Sequence, residues 1–219
     1  MKSEYSLNIN NQEFLLLADK AIYWTKHKAL LIADAHFGKA AAYRALGQPV
    51  PQGTTVENLR RLSVLVAQYP TEQLIFLGDF LHAPKSHAKA TLDALRSWRD
   101  IHANIKCILV RGNHDLKAGD PPSDLNIYVV TEPYLIDDFA LQHIPKPHAT
   151  HHVIAGHIHP TYRLQGKGRQ SLILPCFQHE VSTTLLPSFG DFTGGFLMDK
   201  KLNSKIFVTD SQCVWPVII

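Results

Sequence analysis

Cysteine is scarce in this sequence of 219 residues. The three cysteines, Cys107, Cys176 and Cys213, are far apart and form no CxxC pair. An odd number of widely spaced cysteines excludes a disulfide framework, which is typical of small secreted domains. We therefore expect a chain that folds in a reducing compartment and is cytoplasmic.

Long apolar runs and long charged runs are also missing. No apolar stretch approaches the roughly 18 residues that a membrane-spanning helix needs. The first ten residues, MKSEYSLNIN, lack the apolar core of a secretory signal, so we expect neither secretion nor a membrane partner. Lys and Arg never occur in runs longer than two, and the net charge is only +3. This mild basicity permits an anionic substrate, but it neither supports nor excludes nucleic acid.

Repeats, low-complexity tracts and linkers are absent, and we expect one domain over residues 1–219. Apolar, β-branched stretches occur at Phe14–Ala18, Ala21–Trp24, Ala29–Ala33, Gln73–Leu77, Ile105–Val110, Tyr128–Val130, Tyr134–Leu141, His152–Ala155, Ser171–Leu174, Gly195–Met198 and Lys205–Val208. Runs such as LLIA and LIFL are typical of strands buried on both faces. Helical spacing of apolar residues predicts helices over 55–69 and 86–101. Together these patterns predict an α/β fold with two packed mixed sheets flanked by helices.

Histidine is the compositional outlier, with 13 residues spread along the chain. Polar blocks follow several predicted strands: DAH after LLIA, GDFLH after LIFL, GNHD after ILVR, a single histidine after FALQ, and GHIH after VIA. Residues two apart leave the same face of an extended chain, so the outer residues of DAH and HIH would form chelating pairs. Each block alone also fits a simple strand end or helix cap.

Taken together, the blocks indicate a metal centre. Buried Asp and His side chains at strand ends are costly without a compensating partner. Imidazole and carboxylate ligands suit Mn, Fe, Zn or Co. Two ions about 3.5–4 Å apart would use the whole set if one carboxylate bridged them. The predicted ligands are Asp34, His36, Asp79, Asn113, His143, His157 and His159.

The ordered series DxH, GDxxH, GNHD, H and GHxH resembles the calcineurin-like metallophosphoesterase superfamily over residues 34–159. This resemblance implies a four-layer αββα sandwich of two mixed sheets. It implies that one metal is held by Asp34, His36, Asp79 and His159, and the other by Asp79, Asn113, His143 and His157. It also implies that His114 is the catalytic histidine. The sequence departs from the superfamily at His82, where Asp or Asn is common; His82 could contact substrate, orient Asp79 or only pack.

A narrower resemblance covers residues 14–198. The stretches ADAHFGK, ALGQPVPQGTT, LVRGNHDLKAGDPP, AGHIHP, LPCF and PSFGDFTGG are similar to those of the bacterial ligase-associated DNA damage response endonucleases. The resemblance implies a phosphodiesterase or endonuclease that acts on DNA in repair. It also implies an ATP-dependent DNA ligase and a helicase as partners. We expect two divalent ions, with Mn²⁺ first and Zn²⁺ or Fe as alternatives.

In the expected reaction, two metals lower the pKa of a shared water, and the resulting hydroxide attacks phosphorus. His114 would then protonate the leaving group or stabilise its charge. Asp115 could hold the ring of His114 or cap the following turn. Backbone phosphates could contact Lys39, Arg44, Lys85, Lys117, Arg163, Lys167 and Arg169. Two alternatives stay open: a phosphatase or pyrophosphatase for a small molecule, and a binding module with a structural metal.

Overall fold

The computed structural model describes residues 3–51, 53–166, 168, 170–199 and 201–218. Within these residues the strands are β1 Glu4–Ile9, β2 Gln12–Leu17, β3 Ala21–Trp24, β4 Ala29–Ile32, β5 Gln73–Leu77, β6 Lys106–Val110, β7 Ile127–Val130, β8 Tyr134–Ile136, β9 Phe139–Gln142, β10 His152–Ala155, β11 Pro160–Gln165, β12 Ser171–His179, β13 Thr183–Leu185, β14 Phe196–Leu197, β15 Lys205–Thr209 and β16 Val214–Pro216. The α-helices are α1 Lys39–Arg44, α2 Thr54–Gln68, α3 Lys89–Ile101 and α4 Asn113–Ala118. Short 3-10 turns occupy Thr25–His27, Pro84–His87 and Ser123–Leu125.

The first sheet contains β1 to β7 in chain order, antiparallel from β1 to β4 and parallel from β4 to β7. Alternate residues of its central strands enter two different cores, because successive side chains of a strand leave opposite faces. Leu30 and Leu74 pack towards the helices. Leu31 and Ile75 pack towards the second sheet. This double burial explains why these strands read as continuous apolar runs.

The second sheet has the order β14-β11-β12-β13-β10-β9-β8 among the described residues, and β15 joins it at β12. It is mixed, since β9 and β13 run parallel to β10 whereas β12 runs antiparallel to β13. Phe139, Ile154 and Phe177 lie in the core shared with the first sheet. The predicted α/β class with two packed mixed sheets and flanking helices is confirmed.

The helices of the described residues all lie between residues 25 and 125. Leu62 of α2 and Trp98 of α3 pack on the outer face of the first sheet. The outer face of the second sheet carries small clusters of strand and loop residues, such as Val153 with Ile158 and Met198. The expected four-layer arrangement has a second helical layer on this face. Among the described residues, strands and loops cover it instead. None of the described helices is long and apolar enough to span a membrane.

Some elements differ from the sequence prediction. The predicted strand Tyr134–Leu141 is two antiparallel strands, β8 and β9, that turn at Asp137 and Asp138. The prediction misses β1, β11, β13 and β16. In β1 and β11, polar and apolar residues alternate because one face is solvated, so neither contains the continuous apolar run that marks a buried strand.

Candidate metal centre

The seven predicted ligands meet in one place, although they come from five separate loops. These loops follow the carboxyl ends of β4, β5 and β6 in the first sheet and of β9 and β10 in the second. The carboxyl ends of parallel strands share one edge of a sheet, where open α/β sheets bind ligands. Four of the seven side chains are buried: Asp34, His36, Asp79 and His143.

Four acceptor atoms converge on one side of the centre. The Nε2 atom of His143 lies 2.8 Å from Oδ1 of Asn113, 3.0 Å from Nδ1 of His157 and 3.4 Å from Oδ1 of Asp79. The other ring nitrogen of His143, Nδ1, lies 3.1 Å from the Leu77 carbonyl oxygen, to which it donates its proton. In the neutral tautomer with a proton on Nδ1, Nε2 carries a lone pair that points at the other acceptor atoms. A divalent cation between these atoms would satisfy them, because imidazole, carboxylate and amide oxygen are all metal ligands.

A second group lies on the other side of Asp79. Nε2 of His159 is 3.3 Å from Oδ1 of Asp34, and Nε2 of His36 is 3.7 Å from Oδ2 of Asp79. Ligand atoms of Asp34, His36 and His159 lie within 4.8 Å of one another. Asp79 thus directs Oδ1 to one group and Oδ2 to the other, as a bridging carboxylate would.

The chemistry of this cluster fits divalent cations. Oδ1 of Asp34 is buried and has no hydrogen-bond donor among the described residues. Burial, and the nearby Lys39 ammonium, lower the pKa of His36, so its ring is neutral and can act as a ligand. Burial raises the pKa of Asp79, because the buried carboxylate lacks a full counter-charge. Lone pairs and an uncompensated carboxylate are what a metal requires and satisfies.

Five of the seven predicted ligands have left-handed backbone conformations, which L-residues other than glycine seldom adopt. The φ angles are 54° at Asp34, 46° at His36, 52° at Asp79, 71° at His157 and 50° at His159. The expectation that DAH and HIH are extended chelating pairs is therefore wrong in its geometry. Each pair converges through a tight bend, at a cost of about 1–2 kcal/mol per residue. Such strain is typical of functional sites that the surrounding fold holds in place.

Glycines lie directly behind the predicted ligands. A Cβ atom at Gly112 would lie 2.5 Å from both the backbone nitrogen and Oδ1 of Asp79. A Cβ atom at Gly156 would lie 2.6 Å from Oδ2 of Asp34. Both distances are shorter than van der Waals contact, so the glycines allow the neighbouring backbone to approach the carboxylates closely.

Gly112→Ala should displace the Asp79 carboxylate and lower the metal content of both positions, while destabilising the fold by about 1–3 kcal/mol. Metal analysis after manganese loading, together with the melting temperature, checks this. The matched control is Gly166→Ala, where the added Cβ atom would lie 3.2 Å from the movable Gln170 side chain. Full metal content in Gly112→Ala would mean that the carboxylate is not held by this close approach.

His114 lies beside the predicted ligands with its side chain partly exposed. Its Nδ1 lies 2.7 Å from the carbonyl oxygen of His82, to which it donates a proton, and its Nε2 lies 4.0 Å from Oδ2 of Asp79. The His82 ring stacks on the His114 ring, with 5.0 Å between centroids and 20° between planes. Of the three roles considered for His82, packing is observed, since its ring lies against those of His114, His36 and Tyr43. No hydrogen bond joins His82 to Asp79 among the described residues, and a contact of His82 with substrate stays a prediction.

Asp115 is buried and makes no contact with the ring of His114. Its Oδ1 accepts hydrogen bonds from the backbone nitrogens of Phe80 (3.0 Å) and Leu81 (3.2 Å), and its Oδ2 accepts one from Gly112 (2.9 Å). Burial raises the pKa of Asp115 to about 6, against the opposing effect of these donors. Asp115 therefore ties the Asp79 loop to the first turn of α4. Its observed side-chain hydrogen bonds go to residues that precede it in the chain, and neither to the ring of His114 nor to the following turn.

Two features that support the centre were missed by the sequence analysis. Oε2 of Glu132 accepts hydrogen bonds from the backbone nitrogens of His143 (2.8 Å) and Ile144 (3.0 Å). The backbone nitrogen of Gly190 donates to the Asp34 carbonyl oxygen (3.0 Å), and so does the Ser188 hydroxyl (2.9 Å). A single Glu in TEPY carries no sequence signal. The PSFGDFTGG stretch entered the sequence analysis only as part of the family resemblance, with no role for Ser188 or Gly190.

The candidate phosphate-binding cations differ in their surroundings and in their distance from the metal centre. Lys39 is half-buried beside the centre, close enough for Asp34 and Asp79 to affect its pKa, which burial lowers. Arg44 instead donates to the carbonyl oxygens of Val50 and Pro51. Lys85 lies in a 3-10 turn, Lys117 in α4 and Arg163 in β11. Lys167 and Arg169 lie outside the described residues.

Two packed sheets that present carboxylate, imidazole and amide side chains at one edge define a metal-dependent phosphoester hydrolase. The model of the calcineurin-like phosphoesterase family matches residues 27–173, about two thirds of the chain. The chain therefore belongs to the calcineurin-like phosphoesterase family, whose members use two divalent metal ions.

Comparison with solved structures gives a full-length match. The chain is similar to the nuclease MPE of Pseudomonas putida, with 47% identity over 98% of this chain and 100% of that chain and a TM-score of 0.87. Protein AQ665 of Aquifex aeolicus is 22% identical over 64% of this chain and 82% of its own, with a TM-score of 0.43. The E. coli phosphoesterase Yfce is 15% identical over 86% and 97%, with a TM-score of 0.44. Among curated proteins no match was found.

Proposed function

We propose that the chain is a metal-dependent phosphodiesterase and endonuclease that hydrolyses phosphodiester bonds of DNA. The observation that carries this proposal is the convergence of metal-ligand atoms from Asp79, Asn113, His143 and His157 beside the partly exposed ring of His114. The 47% identity to a nuclease of the same length favours a nucleic acid substrate over a small phosphoester.

The proposed ligands of one ion are Asp34, His36, Asp79 and His159, and those of the other are Asp79, Asn113, His143 and His157. Two bound divalent ions supply Lewis acidity and lower the pKa of a water nucleophile. The protein's own contribution is orientation. Leu77 fixes the tautomer of His143, and Gly112 and Gly156 let the backbone close on the two carboxylates.

His114 is the proposed catalytic residue. Its Nδ1–H donates to the His82 carbonyl oxygen, so Nε2, which faces Asp79, is the atom that carries the transferable proton when the ring is an imidazolium. From there Nε2–H can donate to the departing ester oxygen, as a general acid does. The backbone nitrogen of His114 also donates to Oδ1 of Asp79 at 2.9 Å, which couples the position of α4 to the bridging carboxylate.

Lys39 is the proposed phosphate-binding cation. Its ammonium makes no hydrogen bond or ion pair among the described residues, only a contact with the Tyr43 ring at 5.8 Å. Lys39→Met should raise the KM for DNA about tenfold, because one charged hydrogen bond to phosphate is lost. Metal content should stay the same. Steady-state kinetics and metal analysis check this, with the exposed Lys85→Met as control; an unchanged KM would remove Lys39 from the substrate site.

The substrate class is tested by a manganese-supplemented comparison of single-stranded DNA, duplex DNA, 2′,3′-cyclic nucleotides and phosphomonoesters. We expect the DNA substrates to be cleaved with the highest kcat/KM. A preference for monoesters by orders of magnitude would contradict the nuclease proposal and favour a small-molecule phosphatase. No hydrolysis of any substrate, bis-p-nitrophenyl phosphate included, would favour a binding module.

Several finer proposals are supported only by the motif resemblance. They are Mn²⁺ as the native metal, a role in DNA repair, and a DNA ligase and helicase as partners. A cytoplasmic location is proposed from the cysteine pattern. We also propose that residues 1–219 form one domain. Metal analysis of the protein purified without added metal would test the first of these directly.

A further inference from the structure

The distribution of phenylalanine over the molecule is uneven. The sequence has ten phenylalanines, and eight of them are at most 2% exposed. The other two, Phe192 and Phe196, are 56% and 64% exposed. They lie four residues apart, so the exposed phenyl rings of this protein are concentrated in one short segment. Scattered exposed apolar residues need no explanation, whereas a local concentration of them indicates a binding surface.

This segment, residues 188–197, lies against the loops that carry predicted metal ligands. At one end, Phe189 and Gly190 donate backbone hydrogen bonds to the carbonyl oxygens of Ala33 (2.9 Å) and Asp34 (3.0 Å). At the other end, the backbone nitrogen of Phe196 donates to the His159 carbonyl oxygen at 3.0 Å. Phe192 and Phe196 therefore lie in a segment whose two ends are hydrogen-bonded to the loops of the predicted ligands.

The segment is also held firmly in place. The guanidinium of Arg61 donates to the Phe189 carbonyl oxygen (2.6 Å) and to Asp191 (3.0 Å), and it stacks over the Phe189 ring at 4.3 Å. The Thr193 hydroxyl donates to the Gly190 carbonyl oxygen at 3.0 Å. A ring presented from an anchored segment loses little conformational freedom on binding, which favours affinity.

Phe192 has an unfavourable backbone conformation as well as an exposed ring. Its φ angle is +57°, in the left-handed region, where a bulky aromatic residue is an outlier. Neither feature contributes to folding, because the ring is mostly solvated and the backbone is strained. Residues held in strained conformations cluster at ligand clamps.

We infer that Phe192 and Phe196 form a stacking platform for unpaired nucleobases of the substrate strand next to the metal centre. This inference rests on the proposed nuclease function. Every nucleobase has a flat π-face that can stack on a phenyl ring, whatever its sequence. The bases must be unpaired, since those of a duplex are already stacked on each other. The platform would thus hold bases that flank the phosphodiester at the metals.

The test compares two oligonucleotides of equal length and charge with the manganese-loaded enzyme. One carries normal bases, and the other carries abasic residues around the cleavable phosphodiester. The wild-type enzyme should have a lower KM for the strand with bases. In Phe192→Gly/Phe196→Thr, the KM for this strand should rise about fivefold or more. The KM for the abasic strand should not change.

Several variants separate stacking from folding. Phe192→Gly suits the left-handed backbone and should leave the melting temperature unchanged or raise it. Phe192→Tyr keeps the ring and should retain the wild-type KM. Tyr128→Thr, which removes an exposed aromatic residue of β7, is the matched control and should have no effect.

The outcomes are distinguishable. If the wild-type enzyme cleaves neither oligonucleotide nor duplex DNA, the proposed nuclease function fails; if it cleaves duplex DNA only, the stacking platform is overturned. If it cleaves both with the same KM, or if the double variant raises the KM of both strands equally, the stacking platform is overturned while the nuclease function stands.

Discussion

Asp79→Asn is expected to deplete both metal positions and to lower kcat/KM for DNA by at least about 10³-fold. Asp79 is the residue that directs one carboxylate oxygen towards His143 and the other towards His36, at 3.4 Å and 3.7 Å. The substitution preserves size but removes the negative charge that two neighbouring cations would share. Loss of a single preorganised electrostatic contact typically costs 10²–10³-fold, and here both ions lose a ligand.

The fold of Asp79→Asn should survive, which makes the result interpretable. Burial raises the pKa of Asp79, so the metal-free protein gains stability from this group only while it is protonated. A neutral amide at this position removes a buried, uncompensated charge. In EDTA the variant should therefore melt at or above the wild-type temperature, whereas manganese should raise the wild-type temperature more than that of the variant.

Elemental analysis of the loaded proteins measures the metal content directly. Asp100→Asn, an exposed carboxylate on α3, is the matched control and should keep two ions per chain. Two ions per chain in Asp79→Asn, with unchanged kcat/KM, would contradict the bridging role. A loss of one ion only would place Asp79 in a single metal position.

The sequence was sufficient to predict the strands that carry the ligands, and the reason is physical. β4, β5 and β6 are buried on both faces, so their apolar runs are continuous and their ends are sharp. Polar residues directly after such strands must lie at one edge of the sheet. The half-solvated strands β1 and β11 have no comparable signal, although β11 begins at Pro160, directly after His159.

The conformation of the ligands could not be predicted from their spacing. An extended-chain argument brought Asp34 and His36 together for the wrong reason, because both residues have positive φ angles. Such conformations are imposed by long-range contacts, for example from Ser188 and Gly190 onto Asp34. These partners are more than 150 residues apart in sequence, and no local pattern encodes their approach.

His143 illustrates the remaining limit. A single histidine after a strand is usually a core residue, and His143 entered the predicted ligand set only together with the other polar blocks at strand ends. In the structure its role as a candidate ligand depends on Leu77, which fixes its tautomer, and on Glu132, which holds its backbone. Neither residue belongs to a recognisable motif. The residues that position the ligands of a metal centre are therefore harder to predict from sequence than the ligands themselves.

His114→Ala is expected to retain both metal ions and to lower kcat for DNA by about 10²–10⁴-fold, the usual range for loss of a general acid. The backbone nitrogen of residue 114 still donates to Asp79 in this variant, so the bridging carboxylate keeps its position. His87→Ala is the matched control. Nε2 of His87 lies 3.0 Å from the carbonyl oxygen of Ala118 at the end of α4. His87→Ala therefore tests whether loosening α4 is enough by itself to lower kcat.

The leaving group distinguishes proton donation from simple positioning. An alkoxide leaving group, as in DNA, needs a proton from Nε2 of His114, whereas p-nitrophenolate leaves without one. The loss in His114→Ala should therefore be much smaller for bis-p-nitrophenyl phosphate than for DNA. Equal losses on both substrates would assign His114 to phosphate positioning, and loss of metal from the variant would make His114 a ligand. Because Nδ1 of His114 already donates to the His82 carbonyl oxygen, a proton transferred to the leaving group would come from Nε2.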